Sequence, residues 1–334
     1  MDTFTQALLG GAVGYLVAGK KAPRKALLAG AAIAVLPDLD VFINYANDLD
    51  KMTLHRSWTH SWLVQTLLAP LLALLLSRFD KSISWPRWFL LIWLVLVTHS
   101  GLDALTVYGT QLFWPFMPHP ASGGSVFIID PVYSLLLLMG CIGVLFWPGG
   151  KSQRLMLISF ALSCLYLMWG FAAQQWVAAQ TRTALAEQGI AYQHYQVSAA
   201  PLNTLLWRVI VVSDEYYYQG FRSVFDGDAA FELTRYERGQ KTISLFKDAP
   251  ALAQIDWFTN GLFKIDQTDE LIIVTDLRMG MEPIYFFRFR LAAFEAGEWR
   301  LIEPKQIPMF EHSFKTLGWV WQRIWDPQTV LNAD

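Results

Sequence analysis

Histidine and aspartate recur at short spacings in the N-terminal third of this sequence, where most other residues are apolar. His99 and Asp103 stand four residues apart inside a long apolar run, and a helix would place both side chains on one face. An ionisable residue inside such a segment costs about 2.5 to 3.5 kcal/mol on membrane insertion, so by default it faces a cavity, a partner or a metal. The alternative is a hydrogen-bonded pair that only holds two helices together.

Two further clusters closer to the N-terminus also supply metal-ligand chemistry. His55 and His60 flank Arg56 at the start of another apolar run, and imidazole is a common ligand for zinc and related metals. Asp38 and Asp40 directly follow the end of an apolar segment. Each cluster also has a structural interpretation, because His, Arg and Trp favour the headgroup level of a membrane and aspartate often caps helices.

The donors in these three clusters suffice for one metal with an open position, or for two metals that share bridging carboxylates. Mixed nitrogen and oxygen donors favour zinc as the cofactor, with manganese and iron as alternatives. We therefore predict a divalent metal site with the following ligands: Asp38, Asp40, His55, His60, His99 and Asp103.

The leading hypothesis for such a site is a metal-dependent hydrolase with Asp38, Arg56 and His60 as its catalytic residues. The metal would activate a water for attack on a phosphoester or acyl bond, Arg56 would bind developing negative charge, and a spare carboxylate would act as general base. The alternative is a non-catalytic membrane protein with a structural metal or ion-pair cluster and a partner-binding or sensing soluble domain. Transport would require polar residues along a whole crossing, and here they collect at one end.

The elements that position these residues are apolar segments, which follow from the composition of the whole chain. Of 334 residues, 54% are hydrophobic and 16% charged, whereas an ordinary soluble domain has about 25% charged residues. The segments approach the ~20 residues that a bilayer crossing needs, but the first three are short, and a buried or partly inserted helix is the alternative for 26–36. We predict a polytopic membrane domain of about six helices within residues 1–180, from these segments: 4–18, 26–36, 62–76, 88–105, 132–147 and 155–173.

Positive residues fix the expected orientation of these helices in a bacterial inner membrane. They cluster in the first, third and fifth connections, at 20–25, 78–87 and 151–154, which we expect to be cytoplasmic. The N-terminus and the region after residue 180 would then both face the periplasm. The candidate ligands also fall near that membrane face, which favours a lipid or lipid-linked substrate over a freely soluble one.

We predict that residues 181–334 form a soluble, mainly antiparallel α+β domain. Strand-like runs at 207–212 and 216–225 are separated by a short polar turn, which predicts a hairpin. The net charge of -2 provides no basic field for a nucleic-acid backbone, so we expect no direct nucleic-acid partner.

Several motifs, in order along residues 1 to about 150, resemble the YdjM family of inner-membrane-associated metal-dependent hydrolases. They are the MDTFTQALLGG start, LPDLD, HRSWTHS, HSGLDALTVYGTQLFWPF and FIIDP, with a looser likeness in LLWRVIVVSDEYYY. The resemblance implies a metal-dependent hydrolase of the inner membrane, and a LexA-type protein contact that members of the family are described as making. The family pattern has a Thr-His pair near its start, where this chain has Thr5 followed by Gln6.

The charge pattern makes a direct topological prediction. A reporter active only in the periplasm, fused after Asp334, should function, and one active only in the cytoplasm should not, because positive connections stay inside. Activity assays on both fusions measure this. The reverse result would invert the orientation and move the candidate site to the cytoplasmic face.

Overall fold

The computed structural model describes residues 1–116, 119–147, 149–308 and 313–329. The chain divides into two compact units. The first contains Met1–Ile43 and Arg56–Phe171, and the second contains Asn44–His55 together with the residues from Ala172 onward. Grouping of residues 44–55 with the C-terminal part was not expected from the sequence, whereas the boundary at residues 180 and 181 stays a prediction.

Helices dominate the first unit, and shorter ones also occur in the second. The α-helices, in chain order, are α1 (Thr3–Ala18), α2 (Pro23–Ala34), α3 (Asp48–Leu54), α4 (Trp62–Phe79), α5 (Trp85–Ala104), α6 (Pro131–Phe146), α7 (Gly150–Glu187), α8 (Gln240–Leu245), α9 (Pro250–Thr259) and α10 (Ser313–Trp325). Two short 3-10 helices, Pro37–Phe42 and Trp58–His60, interrupt the first unit and carry candidate ligands.

Every apolar segment predicted from the sequence overlaps a helix, but not every helix is long enough to cross a bilayer. Within the described residues, α4, α5 and α7 are sufficiently long and apolar, while α1 and α6 are apolar but shorter. A helical N-terminal region with candidate membrane spans is therefore confirmed. The count of about six membrane helices is not confirmed.

Glycines allow α1 and α2 to pack with their backbones almost in contact. A Cβ atom added to Gly30 would lie 2.1 Å from the Gly10 carbonyl oxygen, and one added to Gly10 would lie 2.3 Å from the Ala34 Cβ atom. Any larger residue at either position would push the two helices apart. Helix α1 also packs against α5, where the Gln6 side chain donates a hydrogen bond to the His99 carbonyl oxygen at 3.1 Å.

The second unit contains the sheets, as the sequence predicted. Antiparallel strands pair in the orders β1-β2-β3-β4 and β10-β9-β6-β5, and β7 and β8 form a separate hairpin. The predicted hairpin of residues 207–212 and 216–225 is confirmed as the β2 and β3 pair. The strands are β1 (His194–Ala199), β2 (Leu206–Val212), β3 (Tyr216–Ser223), β4 (Thr234–Glu237), β5 (Phe263–Gln267), β6 (Leu271–Asp276), β7 (Gly280–Met281), β8 (Ile284–Tyr285), β9 (Arg288–Glu295) and β10 (Glu298–Gln306).

Candidate metal centre

Four side chains from three segments of the first unit meet in one buried group: Asp38, His60, His99 and Asp103. His99 and Asp103 lie one turn apart on α5, as their spacing predicted. The 3-10 helices Pro37–Phe42 and Trp58–His60 supply Asp38 and His60. One donor atom from each residue lies within 4.8 Å of the donor atoms of the others.

Five of the six separations between these donor atoms are close to the edge length of a coordination tetrahedron, and the sixth, between the two carboxylates, is within 4.8 Å. The Nε2 atoms of His60 and His99 are 3.1 Å apart. The Asp103 Oδ2 atom lies 3.2 Å and 3.5 Å from them, and the Asp38 Oδ1 atom lies 3.5 Å and 3.6 Å from them. Metal bonds of about 2.0 to 2.1 Å in a tetrahedron give edges of about 3.3 Å. The four donors therefore fit a divalent ion such as zinc.

Hydrogen bonds around His60 set its tautomer. The Thr59 hydroxyl donates to the Asp40 Oδ2 atom at 2.8 Å, so its single proton is committed to that carboxylate. The Nδ1 atom of His60, 2.9 Å from the same hydroxyl oxygen, must then be the donor in that contact. This arrangement leaves the Nε2 lone pair directed into the group, which is the state that binds a metal.

Charge and burial act in opposite directions on the ligands outside the candidate membrane spans. Burial alone would raise the pKa of the Asp38 carboxyl, but hydrogen bonds with His60 and His99 lower it below its ordinary value. Burial alone would lower the pKa of His60, but the neighbouring carboxylates of Asp103 and Asp38 raise it. Asp38 is therefore held as a carboxylate. His60 lies between two carboxylates, which favour a positive charge in the group.

The polar atoms near Asp103 provide a second sign of an ion site. Gln6 donates to the Asp103 Oδ1 atom at 2.9 Å, and the buried Met1 amino group forms an ion pair with the same carboxylate. The other oxygen, Oδ2, accepts no hydrogen bond from any described residue although it is fully buried and faces two imidazole nitrogens. Leaving such an oxygen without a hydrogen bond is costly, and a bound cation would add to the charge compensation that Arg56 gives it at 3.3 Å.

Arg56 lies beside this group and is held there by its backbone. Its Nε atom is 3.3 Å from the Asp103 Oδ2 atom, and its guanidinium carbon lies 5.0 Å from the centre of the Tyr108 ring. The residue adopts a left-handed conformation with φ of 62°, which is strained for a side chain of this size. Two hydrogen bonds hold that conformation, from the Arg56 N–H to Asp40 and from the Gln111 N–H to the Arg56 carbonyl.

Two of the six predicted ligands lie outside the four-residue group. Asp40 is 3.9 Å from the Nδ1 atom of His60 and acts on it through Thr59. His55 belongs to the second unit, where it follows α3 as its C-cap. Direct metal binding by either residue stays a prediction from the sequence, and the structure brings together the other four.

Sequence reasoning did not identify Thr59 or Tyr108 as contributors. Thr59 had a usable signal, since it directly precedes a candidate ligand and has a hydroxyl that can orient a histidine. Tyr108 had none, because its contact with Arg56 depends on the path of the chain after α5.

Comparison with known proteins agrees with the membrane character of the first unit. A family model described as "YdjM inner membrane protein" matches residues 1–177. No solved structure gives a significant match to the chain.

Two curated relatives match parts of the chain. "Inner membrane protein YbcI" of Escherichia coli (strain K12) is 33% identical over 107 residues, which cover 30% of this chain and 59% of that protein. "Uncharacterized protein YfhP" of Bacillus subtilis (strain 168) is 25% identical over 166 residues, covering 48% of this chain and 50% of that protein. The chain thus spans between half and three fifths of the length of these relatives. The inner-membrane names together with the apolar helices support membrane localisation.

The geometry predicts that His60, His99 and Asp103 share one bound ion. Each single alanine variant should lose most of its metal, and the His60→Ala, His99→Ala double variant should add little, because ligands of one ion act as a unit. His194→Ala, which changes a histidine of β1 outside the candidate ligands, should keep its metal and serves as the matched control. Metal stoichiometry of the purified proteins measures this. Full occupancy in all three single variants, with additive stability losses of about 0.5 to 1.5 kcal/mol, would indicate independent hydrogen bonds instead.

Gln6 generates a separate prediction. Gln6→His should tighten metal binding or leave it unchanged, because imidazole is a stronger donor than the amide, whose Oε1 atom is buried without a described partner. Gln65→His changes another buried glutamine, which contacts Thr59 and Ser100 rather than Asp103, and it should not increase affinity. Competition with a metal indicator measures both. A folded Gln6→His protein with weakened binding would show that this position does not face the ion.

Proposed function

The chain belongs to the YdjM family of inner membrane proteins, and we propose that it acts in the inner membrane as a metal-dependent hydrolase. One observation carries the proposal. Two imidazoles and two carboxylates converge with tetrahedral spacing, and an arginine lies within 3.3 Å of one of the donor oxygens. A hydrolytic site needs these components, namely a held divalent ion and a fixed positive group for the substrate or its developing charge.

When bound, a divalent ion supplies an activated water and polarises the substrate bond. Arg56 binds an anionic oxygen of the substrate, because its guanidinium is fixed beside the group by its backbone and by Tyr108. Asp38 accepts the proton from the attacking water at its carboxylate. It is the most accessible of the four donors, with a side chain that is 16% exposed while those of the other three are fully buried. His60, oriented through Thr59, holds the ion.

The position of the group supports a lipid-like substrate with a phosphoester or acyl bond. The group lies where the candidate span α5 ends and just before the candidate span α4 begins. A site at the ends of membrane spans meets lipid headgroups before it meets soluble molecules. With the orientation that the positive connections predict, this face would be periplasmic.

A second candidate function is a structural metal site without catalysis. Four protein donors that complete a tetrahedron are typical of structural zinc, whereas catalytic zinc sites keep one position open. The proposed hydrolase requires that one donor, Asp38, yield a position to water. The two functions therefore differ in whether the metal-loaded protein accelerates hydrolysis.

The test uses the full chain in lipid nanodiscs and two probes, a fluorogenic phosphodiester and a fluorogenic acyl ester. We expect hydrolysis of at least one probe that stops with a chelator and returns with zinc or manganese. Arg56→Gln should keep the metal and lower kcat by about 100- to 1000-fold, as for loss of a group that stabilises transition-state charge. Arg87→Gln, which alters an arginine at the other end of α5, is the control. A metal-loaded protein that is inactive on both probes would favour the structural alternative.

A further inference from the structure

The segments that hold the metal centre also carry large aromatic side chains on the surface of the first unit. Phe42 is 80% exposed and Phe116 is 79% exposed. We call the exposed set the aromatic rim, and it consists of Phe42, Trp58, Phe113, Trp114 and Phe116. Groups of large exposed apolar side chains are typical of surfaces that meet a partner or a membrane.

The rim is tied to the metal centre by sequence and by hydrogen bonds. Phe42 ends the 3-10 helix that supplies Asp38, and Trp58 begins the one that supplies His60. The loop that carries the other three aromatic residues is bonded to the segment around His60. Its contacts run from the Trp62 N–H to the Leu112 carbonyl at 2.9 Å and from the Ser61 hydroxyl to the Trp114 carbonyl at 2.8 Å.

Backbone hydrogen bonds within the rim segments pair several of their N–H groups. In the first segment, the Ile43 N–H donates to the Asp40 carbonyl at 3.0 Å. In the loop, the Trp114 N–H donates to the Gln111 carbonyl at 3.1 Å, and the Phe116 N–H donates to the Phe113 carbonyl at 2.8 Å. Turns paired in this way expose apolar side chains while several of their N–H groups are already hydrogen-bonded. They can therefore enter a poorly hydrated layer at little cost.

The rim also lies level with the ends of candidate membrane spans. Helix α4 begins at Trp62, whose ring contacts that of Phe113 with centres 5.5 Å apart. Tryptophan and other aromatic residues at span ends favour the headgroup layer. Because the spans already commit this unit to a bilayer, lipid is a better occupant for the rim than a second protein.

We propose that the aromatic rim is seated in the headgroup layer of one leaflet, so that the metal centre opens to lipid rather than to bulk water. A substrate would then reach the centre by lateral movement from the leaflet, its apolar part against Phe42 and Phe116 and its headgroup toward Arg56. This statement about substrate rests on the proposed hydrolase function. The placement of the rim does not.

Depth measurement tests the placement without any activity. Phe42→Cys and Phe116→Cys would be spin-labelled in a Cys164→Ser background, since Cys141 is buried, and placed in phosphatidylethanolamine–phosphatidylglycerol nanodiscs. Collision with oxygen and with a water-soluble nickel chelate would be compared. Leu71→Cys, exposed in the middle of α4, is the hydrocarbon reference, and Lys81→Cys is the aqueous reference. We expect both rim labels to lie between the two references. Nickel accessibility equal to that of Lys81→Cys, or protection that depends on protein self-association, would overturn the proposal.

Short-chain phosphatidylglycerol, compared as monomers and in nanodiscs, then tests the route of the substrate. We expect the Phe42→Ser, Phe116→Ser double variant to lose about tenfold in rate on the bilayer form and clearly less on the monomer, with metal content unchanged, because only the bilayer route also requires the rim to be seated in the leaflet. Equal loss on both forms would overturn lateral access. If the metal-loaded wild-type protein hydrolyses neither form of the lipid, the proposed function fails and the lipid route fails with it. The depth measurement would still decide where the rim is placed.

Discussion

The first unit is organised around the burial of two carboxylates and two imidazoles within a few ångströms of one another. Removing such groups from water is unfavourable by several kcal/mol for each charge unless opposite charge replaces the lost hydration. Here Arg56 and the Met1 amino group lie beside Asp103, yet its Oδ2 atom still accepts no hydrogen bond from the described residues. The converging donors therefore make physical sense as a cation site.

The surrounding structure can be understood as the support for that convergence. The close contact of Gly10 with Gly30 joins α2 to α1, and the Gln6 side chain of α1 bonds to α5. A left-handed residue, Arg56, turns the chain so that the next few residues deliver His60. The Asp40 carboxylate bonds both to this turn and to Thr59, so one side chain fixes the arginine and the histidine together.

How much of the site was predictable depended on whether a contact follows from local periodicity. The His99 and Asp103 pair lies on one helix, so their spacing alone placed them on one face. Predicting that Asp38 and His60 join this pair required only that their clusters lie near the same membrane face. The positions of Asp40 and His55 outside the four-residue group could not be predicted from the sequence, because they depend on short turns whose direction is set by tertiary hydrogen bonds. Helix formation was predictable from the apolar pattern of each segment. The number of membrane crossings was not, because it depends on the helix lengths, and α1 and α6 are shorter than a span.

Within the proposed function, the location of Arg56 distinguishes between substrate classes. Its guanidinium lies 3.3 Å from an oxygen that would also hold a divalent ion, so two positive groups share one carboxylate in a poorly hydrated site. Like charges repel strongly under those conditions. A substrate that carries its own negative charge relieves the repulsion on binding, whereas a neutral acyl ester gains negative charge only in the transition state. The electrostatics of this chain therefore favour a phosphoester, whose ground-state charge matches both cations, as the bond that the centre recognises.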